Sequence, residues 1–413
     1  MLFKVNWGIV CLCTVHFCGN LSYLLMASFY AKEASARGVP PALVGLVFSA
    51  TPAVGFLTSL LMPPLYGVLS KRAVVALGLA TTALSMILLG LSGLLTGYAF
   101  FALGLVARIF GGVAIGSVTT TDYCLAVTVY PDQAKQVISY LEMCAGVSSA
   151  VGSAVGAPIY AAAGPDVVFY GASGVFLLSI ALVPLLRENK SEACLVKLGL
   201  GPLLRCRLIM LDVCTVVMVV LCFGLMIAYI SIHLLALGAP IESVGLVIGL
   251  NATGYAIISV TLSRILIHLN LQLVMYIGVF LAVLSMLLIA PVPDILPASP
   301  WVVSAGCILF SAAMSLTFVP SIPHMIEVAQ RQGWKADDAL TDAVSSLGSS
   351  AFFLGEAAGP LLGGALLMGI SFTDTALIIA AIIAGWLVLY LAGSLRRTAR
   401  KQEEELLEVN EAT

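Results

Sequence analysis

Apolar residues fill this chain in long runs broken by short polar connections. Crossing the hydrocarbon core of a bilayer takes about 20 mostly apolar residues in a helix. Runs of that kind fall at residues 7–30, 42–68, 73–95, 98–126, 138–162, 167–186, 209–232, 242–266, 271–291, 300–323, 342–369 and 373–395. One longer polar connection, Arg187 to Arg207, carries Glu188, Lys190, Glu192, Lys197 and Arg205 and separates six runs from six. The pattern predicts an all-α membrane protein of twelve transmembrane helices in two six-helix, pseudo-symmetric halves. Those halves are 1–187 and 208–395, with a cytoplasmic central loop at 188–207 and a cytoplasmic tail at 396–413.

Composition agrees. Of 413 residues, 61% are hydrophobic and 10% charged, whereas soluble domains run near 25% charged. Lipid solvates such a surface directly, so the bilayer is the first partner expected. A net charge of −2 gives no sign of a nucleic-acid partner. The cysteines lie mostly inside apolar runs, where a thiol is a small packing residue, and no CxxC pair or metal-ligand spacing occurs. No metal or cofactor is expected. Nor is an enzyme, since phosphate-loop, HExxH and nucleophile-elbow patterns are absent from the sequence.

Orientation follows from lysine and arginine in short loops. With the N-terminus inside, the cytoplasmic side collects Lys4, Lys71, Arg72, Lys135, the central-loop cations, Arg264, Arg331, Lys335, Arg396, Arg397, Arg400 and Lys401. The other side receives Lys32 and Arg37 among mainly acidic charges. Both termini are therefore expected in the cytoplasm.

The halves repeat one another. In the eleventh run Gly355, Gly359 and Gly363 fall on one helical face, with Pro360 and Gly364 beside them, and Gly152 and Gly156 hold the same place in the fifth. Small residues at this spacing let helix backbones approach closely. A duplicated six-helix unit favours alternating access over a static pore.

Ionisable side chains inside spans are costly and by default face the bundle interior. Glu356 has the strongest physical case. It lies well inside its run and projects with Ser345, Ser349 and Phe352, where low dielectric disfavours its charge. A carboxylate that alternately holds a proton and a cation couples the two; the plainer reading is a neutral acid hydrogen-bonded to serines. Glu142 shares a face with Gly146, Ser149 and Ser153, as gate, relay or interfacial carboxylate. Asp122 aligns with Arg108, Gly112, Ile115 and Thr119, as a relay or a half-solvated helix-end residue. His16, Asn20 and Tyr23 form a polar stripe suited to a solute cavity or to internal hydrogen bonding, and Tyr229 and His233 join the cavity candidates. His324 is a proton-coupling candidate or sits at the cytoplasmic mouth beside Glu327.

Two six-span halves, the Gly359-Pro360-Leu361-Leu362-Gly363-Gly364 stretch, its looser copy at Gly152 to Ala157, and Leu105-Val106-Ala107-Arg108 before Gly111-Gly112 resemble the major facilitator superfamily. Within it the chain looks like the vesicular amine transporter family, especially its vesicular polyamine transporter branch. The residues that carry this likeness are Phe29 to Ala34, Gly38, Val44 to Phe48, Tyr130-Pro131, Leu141-Glu142, Ala290 to Pro293 and Pro320 to Pro323. The resemblance implies a fixed structural charge at Arg108, with anion binding or tuning of a proton relay as the alternative, and supports Glu142, a position the branch fills with Glu. Three departures bear on mechanism. The second-to-third loop, Gly67 to Arg72, is short and lacks the family's Asp, which predicts a looser inward gate. His324 stands where the branch has an acid, and Phe223 to Ala228 lacks the branch's seventh-span carboxylate.

The expectation is a secondary active transporter exchanging protons for a small organic solute, polyamine or monoamine class favoured, by alternating access. The alternatives are a facilitator or symporter of a neutral or anionic metabolite, and a non-transporting receptor or partner that keeps the fold. A vesicle, endolysosomal or plasma membrane is the expected location, and a monomer the favoured state.

Overall fold

The computed structural model describes residues 6–26, 30–39, 41–188, 200–239, 241–266, 269–291, 296–297, 299–335, 337–367 and 369–411. Several sequence expectations fall outside them: Phe29, residues 189–199 of the central loop, and Val292 and Pro293. The side chains of Tyr23, Lys32 and Ser153 are likewise outside the description.

The described chain is helical. It runs α1 (Trp7–Leu25), α2 (Tyr30–Ala36), α3 (Pro41–Leu65), α4 (Lys71–Ser92), α5 (Gly97–Val129), α6 (Ala134–Ser179), α7 (Leu200–Arg205), α8 (Arg207–Ala236), α9 (Ile241–Ile265), α10 (Leu271–Ile289), α11 (Pro300–Phe318), α12 (Ser321–Arg331), α13 (Asp338–Leu367) and α14 (Phe372–Glu411). Among the described residues nine helical stretches are long and apolar enough to cross a membrane, and Trp7–Ser22 and Leu246–Leu262 are shorter apolar stretches.

The break between the fifth and sixth spans falls at Gly164 (φ 83°, ψ 174°), inside the 163–166 gap read from the sequence. A single residue in a conformation that glycine takes without strain makes the kink there. The tenth span continues past Pro320 as α12, because Ser321 to Arg331 turns a buried face of Ile322, Met325, Val328 and Ala329 back onto the bundle.

The duplication is visible contact by contact. Ser70 caps α4 by accepting from the Ala73 amide, and Asn270 caps α10 by accepting from Gln272 and Leu273. Thr51 donates to the Arg108 carbonyl (3.0 Å), as Asn251 does to the Cys307 carbonyl (2.5 Å). Ser85 donates to the Ala107 carbonyl (2.7 Å), and Ser285 to that of Gly306 (2.8 Å). Gly38 (φ 77°) and Gly238 (φ 82°) turn the chain into the second span of each half.

The glycine faces repeat with the same partners. A Cβ on Gly152 would come 3.1 Å from the Leu21 carbonyl oxygen; one on Gly359 would collide with that of Leu221. Gly156 lies against Leu25, and Gly363 against Leu225. Across the halves, α3 packs on α13 and α6 on α9. One partner at each contact is glycine: Gly55 receives the Phe353 ring, and Gly146 receives the α9 backbone at Ala252 and Ala256.

Candidate functional site

A cavity of about 100 Å³ lies between the halves. Its acids are Glu142 from α6 and Glu356 from α13. Asn20, Ser149, Asn251 and Ser349 add polar groups, and Tyr123, Phe223, Tyr255, Phe318, Phe352 and Phe353 supply rings. Among the described residues that line it, none is Lys, Arg or His.

Glu142 is 2% exposed. A carboxylate so buried demands hydrogen bonds, and two phenols provide them. Tyr123 of α5 donates to Oε1, and Tyr255 of α9 donates to Oε2. The first belongs to the same half as Glu142 and the second to the other. Gly146, one turn after Glu142, lets α9 approach: a Cβ there would stand 3.0 Å from both the Ala252 oxygen and the Ala256 Cβ.

Glu356 is also buried. Its helix is locally weakened, because Pro360 has no N–H to give the Glu356 carbonyl one turn back. Gly224 of α8 faces that carbonyl, with room for no side chain. Since Gly152 and Gly359 are equivalent, counting back three residues pairs Ser149 with Glu356, and counting back ten pairs Glu142 with Ser349. All four line the cavity. Each half thus keeps one carboxylate, at a different rung, with serine opposite.

Behind the wall, His16 Nδ1 lies 3.0 Å from Asp122 Oδ2, both fully buried. Asp122 is therefore no half-solvated helix-end residue: α5 runs on to Val129 and leaves it two turns inside. The His16 ring sits 5.8 Å from that of Tyr123, one layer back from the cavity, while Asn20 reaches the wall. Tyr229 and His233 lie off the wall as well. Tyr229 donates to the Pro360 carbonyl (2.9 Å), and His233 stacks on Phe372 with ring centres 4.4 Å apart.

His324 is not at an open mouth. Its Nδ1 lies 2.8 Å from Asp212 Oδ2, and Tyr390 donates to Asp212 Oδ1 at 2.7 Å. The seventh-span helix thus does carry a buried acid, Asp212, earlier along it than Phe223 to Ala228. As an ionisable residue in an apolar run, Asp212 carried a readable signal. Tyr123 and Tyr255 did not, being uncharged aromatics among many.

Arg108 is 1% exposed within α5. Gly111 and Gly112 beside it serve packing, with Gly112 facing the Thr51 carbonyl, and Gly355 and Gly364 do the same toward Val217 and Tyr229. Two ion pairs tie the halves at the end of the bundle that carries Lys71. Lys71 Nζ lies 2.6 Å from Asp342 Oδ1, and Lys135 Nζ lies 2.7 Å from Glu327 Oε1. Ser346 adds a hydrogen bond to the Ser59 carbonyl. The short second-to-third connection does not leave this end loose, because Lys71 at its edge makes the cross-half pair itself.

The family model described as Major Facilitator Superfamily matches residues 10–334. The chain belongs to the major facilitator superfamily. It is a multi-pass membrane transporter, not an enzyme. Over 407 residues it is 24% identical to the human protein named MFS-type transporter SLC18B1, covering 95% of this chain and 88% of that one. The rat protein of the same name is 24% identical over 360 residues, 85% of this chain and 78% of its own. Among solved structures, the superfamily transporter FucP in its outward conformation superposes with a TM-score of 0.71 at 14% identity, covering 92% of this chain and 97% of that chain. The E. coli fucose:proton symporter FucP gives 0.70 at 16% identity, over 93% and 98%. At such identities these structures speak for the fold.

Proposed function

We propose that this superfamily member is a proton-coupled antiporter of a small organic cation, of polyamine or monoamine class, working by alternating access. The observation that carries the reading is the charge of the cavity wall: two carboxylates, Glu142 and Glu356, among six rings, with no basic side chain among the described lining residues. An ammonium group pairs with the acids and lies favourably over aromatic faces, whereas an anion meets two carboxyl groups and no cationic side chain among the described lining residues. The likeness to MFS-type transporter SLC18B1 and the residues shared with vesicular amine transporters support the same class.

Lysine and arginine placement supports cytoplasmic termini. On that assignment Lys71–Asp342 and Lys135–Glu327 close the cytoplasmic end. Protons reach Glu356 and Glu142 from the cavity, with His16–Asp122 behind them, and His324–Asp212 forms a second buried pair in the other half. The test is uptake of labelled polyamines and monoamines into proteoliposomes under an imposed pH gradient. Gradient-driven uptake supports the antiporter; gradient-independent movement, or movement of neutral or anionic metabolites instead, returns the facilitator or symporter reading. No flux of any of these solutes returns the non-transporting one.

A further inference from the structure

Glu142 spends both carboxylate oxygens on phenols, and only one phenol crosses between the halves. Tyr255 is itself anchored within its own half: its carbonyl accepts from Ser315 of α11 at 3.2 Å, and Ser315 lies 3.4 Å from Ser259 of α9. The contact around it is otherwise small and apolar, Gly146 against Ala252 and Ala256. A charged carboxylate accepts a phenol roughly twice as strongly as a neutral acid does. The grip at this point therefore depends on whether Glu142 carries its charge.

We infer that Tyr255 is a positioning residue through which the charge on Glu142 sets how tightly α6 holds α9 across the cavity. With Glu142 charged and free of solute, both phenols are bound and the halves are clamped. A proton or a cationic centre on Oε2 withdraws that acceptor, releases Tyr255 and frees the contact. The link to transport rests on the antiport reading above; the clamp itself does not. Other titratable groups face Glu142: Tyr123 of α5, Tyr255 of α9, Cys144 of its own helix, His16 of α1 with its partner Asp122, and Glu356 across the cavity.

The experiment is amide hydrogen exchange of the full-length protein in lipid nanodiscs, read on peptides of α6 and α9 over a pH series. Tyr255→Phe and Glu142→Gln should each speed exchange there by roughly tenfold at high pH, the factor expected for one lost charge-assisted hydrogen bond. The double variant should be no faster than either single one. Wild-type protein should lose protection as Glu142 is protonated, and Tyr255→Phe should abolish that pH dependence. Tyr123→Phe, which leaves the crossing bond intact, should keep it. Unchanged exchange in Tyr255→Phe, additive effects in the double variant, or a surviving pH dependence overturns the clamp. If the clamp holds while wild-type proteoliposomes show no gradient-driven uptake, the antiport reading fails alone.

Discussion

His324 holds Asp212 at 2.8 Å, so the histidine standing where the related branch has an acid meets an acid supplied by another helix. Tyr390 takes the second Asp212 oxygen, and the three side chains join α12, α8 and α14. The arrangement has a counterpart in the other half, His16 with Asp122, where the acid sits on the fourth span rather than the first. Each half is pinned internally by one buried histidine and one buried aspartate.

Removing one member of such a pair leaves its partner buried without compensation, at a cost of about 3–5 kcal/mol. His324→Ala should lower the thermal melting temperature of the purified transporter sharply. Replacing both groups with apolar residues, His324→Phe with Asp212→Leu, should recover much of the loss. A double variant as unstable as His324→Ala would show that the pair is not the source of the effect.

Glu356→Gln keeps size and hydrogen bonding but removes the charge. Transport driven by a pH gradient should fall by roughly tenfold or more, the scale of one lost charge-assisted interaction, while yield and melting temperature stay near wild type. Initial rates normalised to reconstituted protein check this, and unaltered exchange removes Glu356 from the mechanism.

Gly359 meets the Leu221 carbonyl with no space for a Cβ, whereas a Cβ added to Gly385 would meet no neighbouring side chain or helix within 4 Å. Gly359→Val should therefore prevent proper packing of α13 on α8, with low yield and early melting. Gly385→Ala should behave as wild type or slightly better, since alanine favours helix by about 1 kcal/mol over glycine. Size-exclusion profiles and melting curves of the two variants separate these outcomes.

Lys71 and Asp342 are each largely shielded from solvent, at 11% and 14% exposure, so their attraction is less screened than a surface pair's. Lys71→Gln should raise amide exchange in the first turns of α13 and the adjoining end of α3. The charge-swapped double variant, Lys71→Asp with Asp342→Lys, should restore protection. Failure of the swap to restore it would mean that Lys71 acts there through packing alone.

The spans were legible because lipid imposes a length and a polarity that any sequence must meet, and the repeat because close helix contact demands glycine at Gly152 and Gly359 alike. The end of the fifth span was legible too, since Gly164-Pro165-Asp166 interrupts the apolar run where the chain breaks at Gly164. An apolar run that stops at 126 places Asp122 near a helix end; α5 runs on to Val129 and buries it. Its partner was beyond reach for a different reason: His16 is 106 residues away, and nothing local distinguishes it from a packing histidine. Tyr255 was invisible because its role comes from the Gly146 contact, which the fold makes.

The exchanged rungs of Glu142 and Glu356 give the cavity a direction. Seven residues separate Ser349 from Glu356 along α13, a climb of about 10 Å at 1.5 Å per residue, and Ser349 marks the level of Glu142. The two carboxyl groups therefore stand at different heights on opposite walls. If the solute is the organic cation proposed above, one arriving from the end away from Lys71 encounters Glu356 first and Glu142 second, and one arriving from the other end meets them in reverse. The order of encounter, and with it which carboxylate must let go last, is set by the side of entry.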